Sequence, residues 1–297
     1  MSTQIVTPAW TVDGWSGNYV DDNGVTWFVS DDKGWFEPVQ DRLFDMDKPA
    51  SDGTYSAPNL DASRVITLTG WARAPDPVAA DVARNKFNSL CKRGHLFPLV
   101  VEEPVAIRTA MVKRAGGNLR NTGVSQFEFQ LILLAPDPRK YSSTVHSAST
   151  GLAIDAPGGI KWGGPAGSTG VEWGGPAGST GVVWQTGAAE NGVIQITNDG
   201  SEDTPIVFTI AGPVTSPIIT RTDTGESLRW NGTVATGSQL VINTGTGSVL
   251  LDNGNQRPLL TRADFFLAPP GTIDVLFSAP SPSPTALLTA TWPDAWI

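Results

Sequence analysis

Phe127-Glu128-Phe129-Gln130-Leu131-Ile132-Leu133-Leu134, followed at once by Ala135-Pro136-Asp137-Pro138-Arg139-Lys140-Tyr141, decides how this chain is read. Phe127, Phe129, Leu131 and Leu133 fall on one face of an extended segment, with Glu128 and Gln130 opposite, so the run is a strand with one face in a core. Ile132 and Leu134 extend the apolar surface at its far end. Pro136 and Pro138 lack backbone donors and bias the residues before them toward extended conformations. The strand therefore stops there, and residues 135–141 are expected to form a stiff, exposed exit that closes a domain.

The composition agrees with a β-rich chain. Gly 32, Pro 23 and only 16% charged residues in 297 describe short strands joined by tight turns, in a chain long enough for two cores. The net charge of -9 argues against a general grip on nucleic acid, which needs excess Lys and Arg. That charge is uneven: residues 1–61 hold 3 basic and 11 acidic groups, and residues 84–120 hold 8 basic and 2 acidic. Opposite surfaces on one domain suit head-to-tail association in a ring, although solvated faces would give the same counts. Cys91 is alone, so one chain builds neither a disulfide nor a thiolate metal site. Met1-Ser2-Thr3-Gln4-Ile5-Val6 shows no basic region leading into an apolar core, and no apolar run reaches ~18 residues. Neither export nor a membrane-spanning segment is expected, and synthesis in a cytoplasm is.

Outward from the opening stretch, Asp21-Asp22-Asn23-Gly24 and Asp31-Asp32-Lys33-Gly34 read as hairpin turns; they lack the spacing and closing glutamate of a calcium loop. Residues 41–63 read as a polar loop before the alternating strand at 64–71. Asp76-Pro77 opens a helix over about 77–93, with Asp76 as N-cap and Gly94 beyond its end. Val78, Val82, Ala83, Phe87, Leu90 and Cys91 make its apolar stripe. Strands follow at 96–101, 105–112 and 125–134, with Gly116-Gly117-Asn118 and Asn121-Thr122-Gly123 as loops. Residues 1–141 thus form a β domain with one helix.

Residues 142–190 change character. Residues 163–171 recur unchanged at 174–182, and Trp162, Trp173 and Trp184 stand eleven apart. These three tryptophans are candidate junction contacts, since flexible linkers seldom carry large aromatics. Residues 191–297 read as a second all-β domain, with strands at 193–197, 206–210, 218–221, 227–230, 239–243, 248–251, 273–277 and 286–292. The fold class is mainly β throughout.

Catalytic patterns fail on context. Ala166-Gly167-Ser168-Thr169-Gly170 approximates a nucleophile elbow, but that fold order needs a histidine downstream, and His95 and His146 both precede it. No glycine-rich loop leads into Gly-Lys-Ser or Gly-Lys-Thr, so a phosphate loop is absent. No catalytic residue, metal ligand or cofactor is expected. Trp230, Trp292 and Trp296 are candidate glycan contacts, with core packing as the competing use of the same rings.

Four segments in order carry a resemblance: 64–70 before the helix; 127–134 with Ala135-Pro136-Asp137-Pro138 and Tyr141; 196–201 with Thr204-Pro205; and Leu267-Ala268-Pro269-Pro270-Gly271-Thr272. Together they resemble the phage distal tail protein (Dit) family, minor tail proteins of long non-contractile (siphophage) tails. The resemblance implies a hexameric homo-oligomeric ring built by residues 1–141, carrying galectin-like β-sandwiches from residues 191–297. It implies a hub at the distal tail tip of the virion, made in the host bacterial cytoplasm. That hub joins the tail tube protein to the tail-tip or baseplate hub protein, with the tape-measure C-terminus as a further neighbour. DNA would pass through its lumen without specific binding. A glycan- or receptor-binding tail module contacting the host surface is the alternative.

Overall fold

The computed structural model describes residues 3–153, 192–280 and 285–297. Trp162, Trp173 and Trp184 lie outside these. The chain divides into two compact units, one of Met1–Thr144, Gly200–Glu202 and Pro293–Ile297, the other of Val145–Asp199 and Asp203–Trp292. It is mainly β, as expected, with a single α-helix among the described residues.

In the first unit the longer strands are β1 (Ala9–Val12), β2 (Trp15–Gly17), β3 (Thr26–Lys33), β4 (Arg64–Arg73), β5 (Phe97–Glu102), β6 (Ile107–Asn121) and β7 (Gln126–Ala135), with the first residues, to Thr144, of β8 (Lys140–Gly151). The opening stretch is β7, paired antiparallel with β4 over ten positions from Arg64↔Ala135 to Arg73↔Gln126. Phe127, Phe129, Leu131 and Leu133 are fully buried, while Ile132 and Leu134 are half-buried. β3 lies on the other side of β4, and β6 on the other side of β7. The early half of β6 turns to a second layer, pairing with β5, which pairs with β1. Trp15, Trp27, Phe87, Phe127 and Phe129 fill the core with ring centroids 5.2–6.1 Å apart, mostly edge to face.

β6 runs through the glycines expected to form a loop. A bulge between Arg114 and Gly116 keeps it paired. At Gly117 (φ 141°) a Cβ would meet the Gln130 carbonyl oxygen at 2.3 Å, so only glycine lets the two backbones approach.

The helix α1 (Pro77–Ser89) starts as expected, with the Asp76 carboxylate accepting from the Ala79 amide at 2.8 Å. It ends four residues sooner than 93. Cys91 is left-handed (φ 50°) and its amide donates to Asp13 Oδ2 at 2.7 Å, drawing the chain out of the helix; a 3-10 turn (Lys92–Gly94) follows. The buried stripe is Ala80, Ala83 and Phe87, with Leu90 and Cys91 beyond it. Val78 and Val82 are exposed, which corrects their place in that stripe.

The second unit is a sandwich. One layer has β16 (Leu287–Trp296), β10 (Val207–Ala211), β13 (Gln239–Asn243) and β14 (Ser248–Leu251) in that order; the other has β9 (Val193–Asn198), β15 (Gly271–Ser278), β11 (Ile218–Arg221) and β12 (Ser227–Trp230). Each of the eight strands expected there is present. Ile196, Ile219, Val275 and Phe277 from one layer pack with Phe208, Ile210, Leu240 and Leu288 from the other.

Candidate functional site

Between β3 and β4 the chain leaves the first unit's core as a hairpin arm. Asp41–Arg42 pairs with Leu60–Asp61, and Met46–Asp47 with Thr54–Tyr55. This replaces the polar loop expected at 41–63. None of residues 36–63 is buried, yet Phe36, Leu43, Phe44, Met46, Tyr55 and Leu60 are 50–71% exposed. A two-stranded ribbon has no interior in which to bury such side chains. The arm's charged groups are Glu37, Asp41, Asp45, Asp47, Asp52 and Asp61 against Arg42 and Lys48, a net of -4. Arg42 sits over the Phe44 ring and Lys48 over Tyr55, at 6.0 and 5.8 Å.

The root of the arm is built as firmly as its shaft is bare. Gly34 (φ 85°) passes so close to β4 that a Cβ would lie 1.8 Å from the Val65 carbonyl oxygen. Trp35 is fully buried; its indole donates to Glu103 Oε1 at 2.8 Å and meets Trp10 edge to face. Glu103 also holds Arg108, whose guanidinium covers the Trp296 ring at 4.6 Å. Arg64, 2% exposed, aims Nη1 at the carbonyls of Gly34, Trp35 and Glu37 (2.7, 3.2 and 3.0 Å) and Nε at that of Pro138 (2.8 Å). Lys140, 7% exposed, donates to the same Trp35 carbonyl at 3.2 Å and lies 5.7 Å from the Trp35 ring centre.

Two buried cations therefore grip one arm root, and the exit 135–141 supplies one jaw. That corrects the expectation of an exposed exit in part: Pro136 and Asp137 are exposed, but Pro138 accepts from Arg64 and Lys140 is buried, and the Tyr141 hydroxyl donates to Asp137 at 2.6 Å. Burial, then the neighbouring Arg64 and Arg108 charges, lower the Lys140 pKa to about 8, with Glu103 opposing. Burial also lowers that of Arg64. No pattern of side chains could have flagged this site, because its acceptors are backbone carbonyls.

The tryptophan candidates fall elsewhere. Trp230 (2% exposed) and Trp292 (5%) belong to the sandwich core. The Trp292 indole donates to the Thr197 carbonyl at 2.7 Å and stacks on His146. A sugar platform needs an open ring face, which neither presents. Trp296 is half-buried beneath Arg108. Among the described residues no three His, Cys, Asp or Glu side chains converge on a metal site, and no helix is long and apolar enough to cross a membrane.

Comparison with known proteins bears on this geometry. Residues 199–296 match the SPP1_Dit family model, described as Siphovirus-type tail component, C-terminal domain. The fold is similar to that of the SPP1 Dit (gp 19.1) protein, described as a paradigm of the hub adsorption apparatus in phages infecting Gram-positive hosts. That match has a TM-score of 0.66 at 13% identity, covering 97% of this chain and 99% of that one. Chains of the phage P2 baseplate in its activated conformation, with Ca or with Sr, match at TM-scores of 0.55 and 0.54. Both of these are 11% identical over 96% of this chain and 98% of theirs. No curated protein sequence matches the chain. The resemblance to phage distal tail proteins is borne out by the family model over residues 199–296 and by the shared fold over nearly the whole length.

Proposed function

We propose that this chain is a structural hub protein of a phage tail tip, in which copies associate through residues 1–141 into a ring, six-fold by the resemblance, that carries the sandwiches of residues 191–297. The observation that carries the ring is the arm, which exposes six large apolar side chains that its own unit leaves uncovered. A second copy offers the matching charge: residues 84–120 carry 8 basic and 2 acidic groups, against -4 on the arm. The ring would join the tail tube protein to the tip or baseplate hub protein, receive the tape-measure C-terminus, and leave a channel for DNA. Net acidity favours a lumen that does not retain its cargo.

Native mass measurement and negative-stain imaging of the purified chain test this reading. A closed ring with a central hole is expected. A chain that stays monomeric at concentrations well above micromolar overturns it. DNA binding at physiological salt should be undetectable, and a micromolar complex would contradict the passive channel.

A further inference from the structure

We infer that Arg64, seconded by Lys140, is a positioning residue that aims the arm at a second copy of this chain; the inference rests on the ring reading above. An exposed two-stranded ribbon has little of its own to fix its direction. A ribbon that swings freely loses conformational freedom when it docks, and that loss weakens binding. Here the swing is removed at the root. A single planar guanidinium spans the carbonyls of Gly34, Trp35 and Glu37, on the segment that follows β3 into the arm, and that of Pro138, on the exit from β7. Arg64 itself is the first residue of β4, where the arm returns. The two feet of the arm and the β7 exit are thus tied to one side chain whose fork geometry is fixed.

Lys140 adds a second tie to the Trp35 carbonyl from the far side of the same exit. The Trp35 indole, held by Glu103, prevents the root from rotating about its backbone. A lysine at position 64 would keep the charge but would have a single ammonium where Nε reaches Pro138 and Nη1 reaches Gly34, Trp35 and Glu37, so it could not hold the β7 exit and the entering chain at once. The arm's own contacts would be untouched, since its two ladders and its Lys48-to-Gly53 turn hydrogen bond lie beyond the clamp.

Spin labels at Ser51→Cys, near the arm tip, and Asn118→Cys, on β6, read the arm's direction in labelled chains diluted into unlabelled ones. The native chain should give a narrow distance distribution. Arg64→Lys should broaden it and cut ring formation at least tenfold at fixed concentration, with α1 and the sheets intact by circular dichroism. If Arg64→Lys does not fold, Lys140→Met is read by the same two measurements, with broadening again expected. A narrow distribution with native-level ring formation in the folded variant overturns the inference. Deleting residues 38–61 separates the two claims: if rings persist without the arm, the ring stands but the arm does not build it and the clamp inference is overturned; if they vanish while Arg64→Lys assembles normally, only the clamp fails.

Discussion

Lys140→Met tests how the arm root is held, and its magnitude follows from the site. Lys140 is 7% exposed, and its pKa falls from the usual 10.5 to about 8. At about 1.36 kcal/mol per unit, that difference is roughly 3 kcal/mol between protonation states; residual solvation near the carbonyl partner trims the expected effect to about 1–3 kcal/mol. Because the folded chain holds this proton more weakly than the unfolded chain, the unfolded state carries the extra proton between about pH 8 and 10.5, and stability rises across that window. Methionine preserves the apolar stem but removes the charge. It forfeits one hydrogen bond worth about 1 kcal/mol, and the Trp35 carbonyl is not orphaned because Arg64 still donates to it. Lost bond and relieved desolvation nearly offset, so the variant should lie within about 1–2 kcal/mol of the native chain at pH 7. Urea denaturation followed by tryptophan fluorescence at pH 7, 8.5 and 10 gives the native-minus-variant difference, which should grow by about 1–3 kcal/mol. A flat difference, or a variant that has lost 3–5 kcal/mol at pH 7 as a broken favourable pair would, refutes the reasoning.

Gly34→Ala should cost at least about 3 kcal/mol, because its Cβ would lie 1.8 Å from the Val65 carbonyl oxygen at φ 85°; an unchanged urea midpoint would show that the root relaxes. Phe87→Ala removes a fully buried ring stacked 5.8 Å from Trp27 and should cost about 3–5 kcal/mol with loss of near-ultraviolet circular dichroism. Trp230→Ala should destabilise the sandwich by a similar ~3–5 kcal/mol, while a glycan array probed with the native chain stays at background; reproducible sugar hits lost in this variant would reverse that assignment. Asp76→Ala should cost about 1 kcal/mol by freeing the Ala79 amide, and no change in thermal midpoint would deny the cap.

The parts of the fold that were legible in the sequence were those written locally. β7 announces itself by alternation, the sandwich strands by their Gly and Asn turns, and the start of α1 by Asp76-Pro77. What escaped notice depends on distant partners. The end of α1 is set by Asp13, remote in sequence, which takes the Cys91 amide. The arm read as a polar loop because Leu43, Phe44, Met46, Tyr55 and Leu60 are interspersed with Asp and Pro, and its ladders are only two residues long. Lys140 looked like a surface residue between two prolines and a tyrosine. Its burial follows from where β7 delivers it, which no local spacing encodes.

The ten-position pairing of β4 with β7 also has a mechanical meaning. The arm enters and leaves at the same end of this ladder as the 135–141 exit. A tug on the arm along the strand direction therefore loads the rungs in shear, so that many hydrogen bonds must yield together. A sideways pull would open them one after another, beginning at Arg64↔Ala135. The guanidinium that ties the start of β4 to Pro138, just beyond the end of β7, acts as a rivet beside the point where peeling would begin, and force spectroscopy should find the arm strong along its axis and weaker across it.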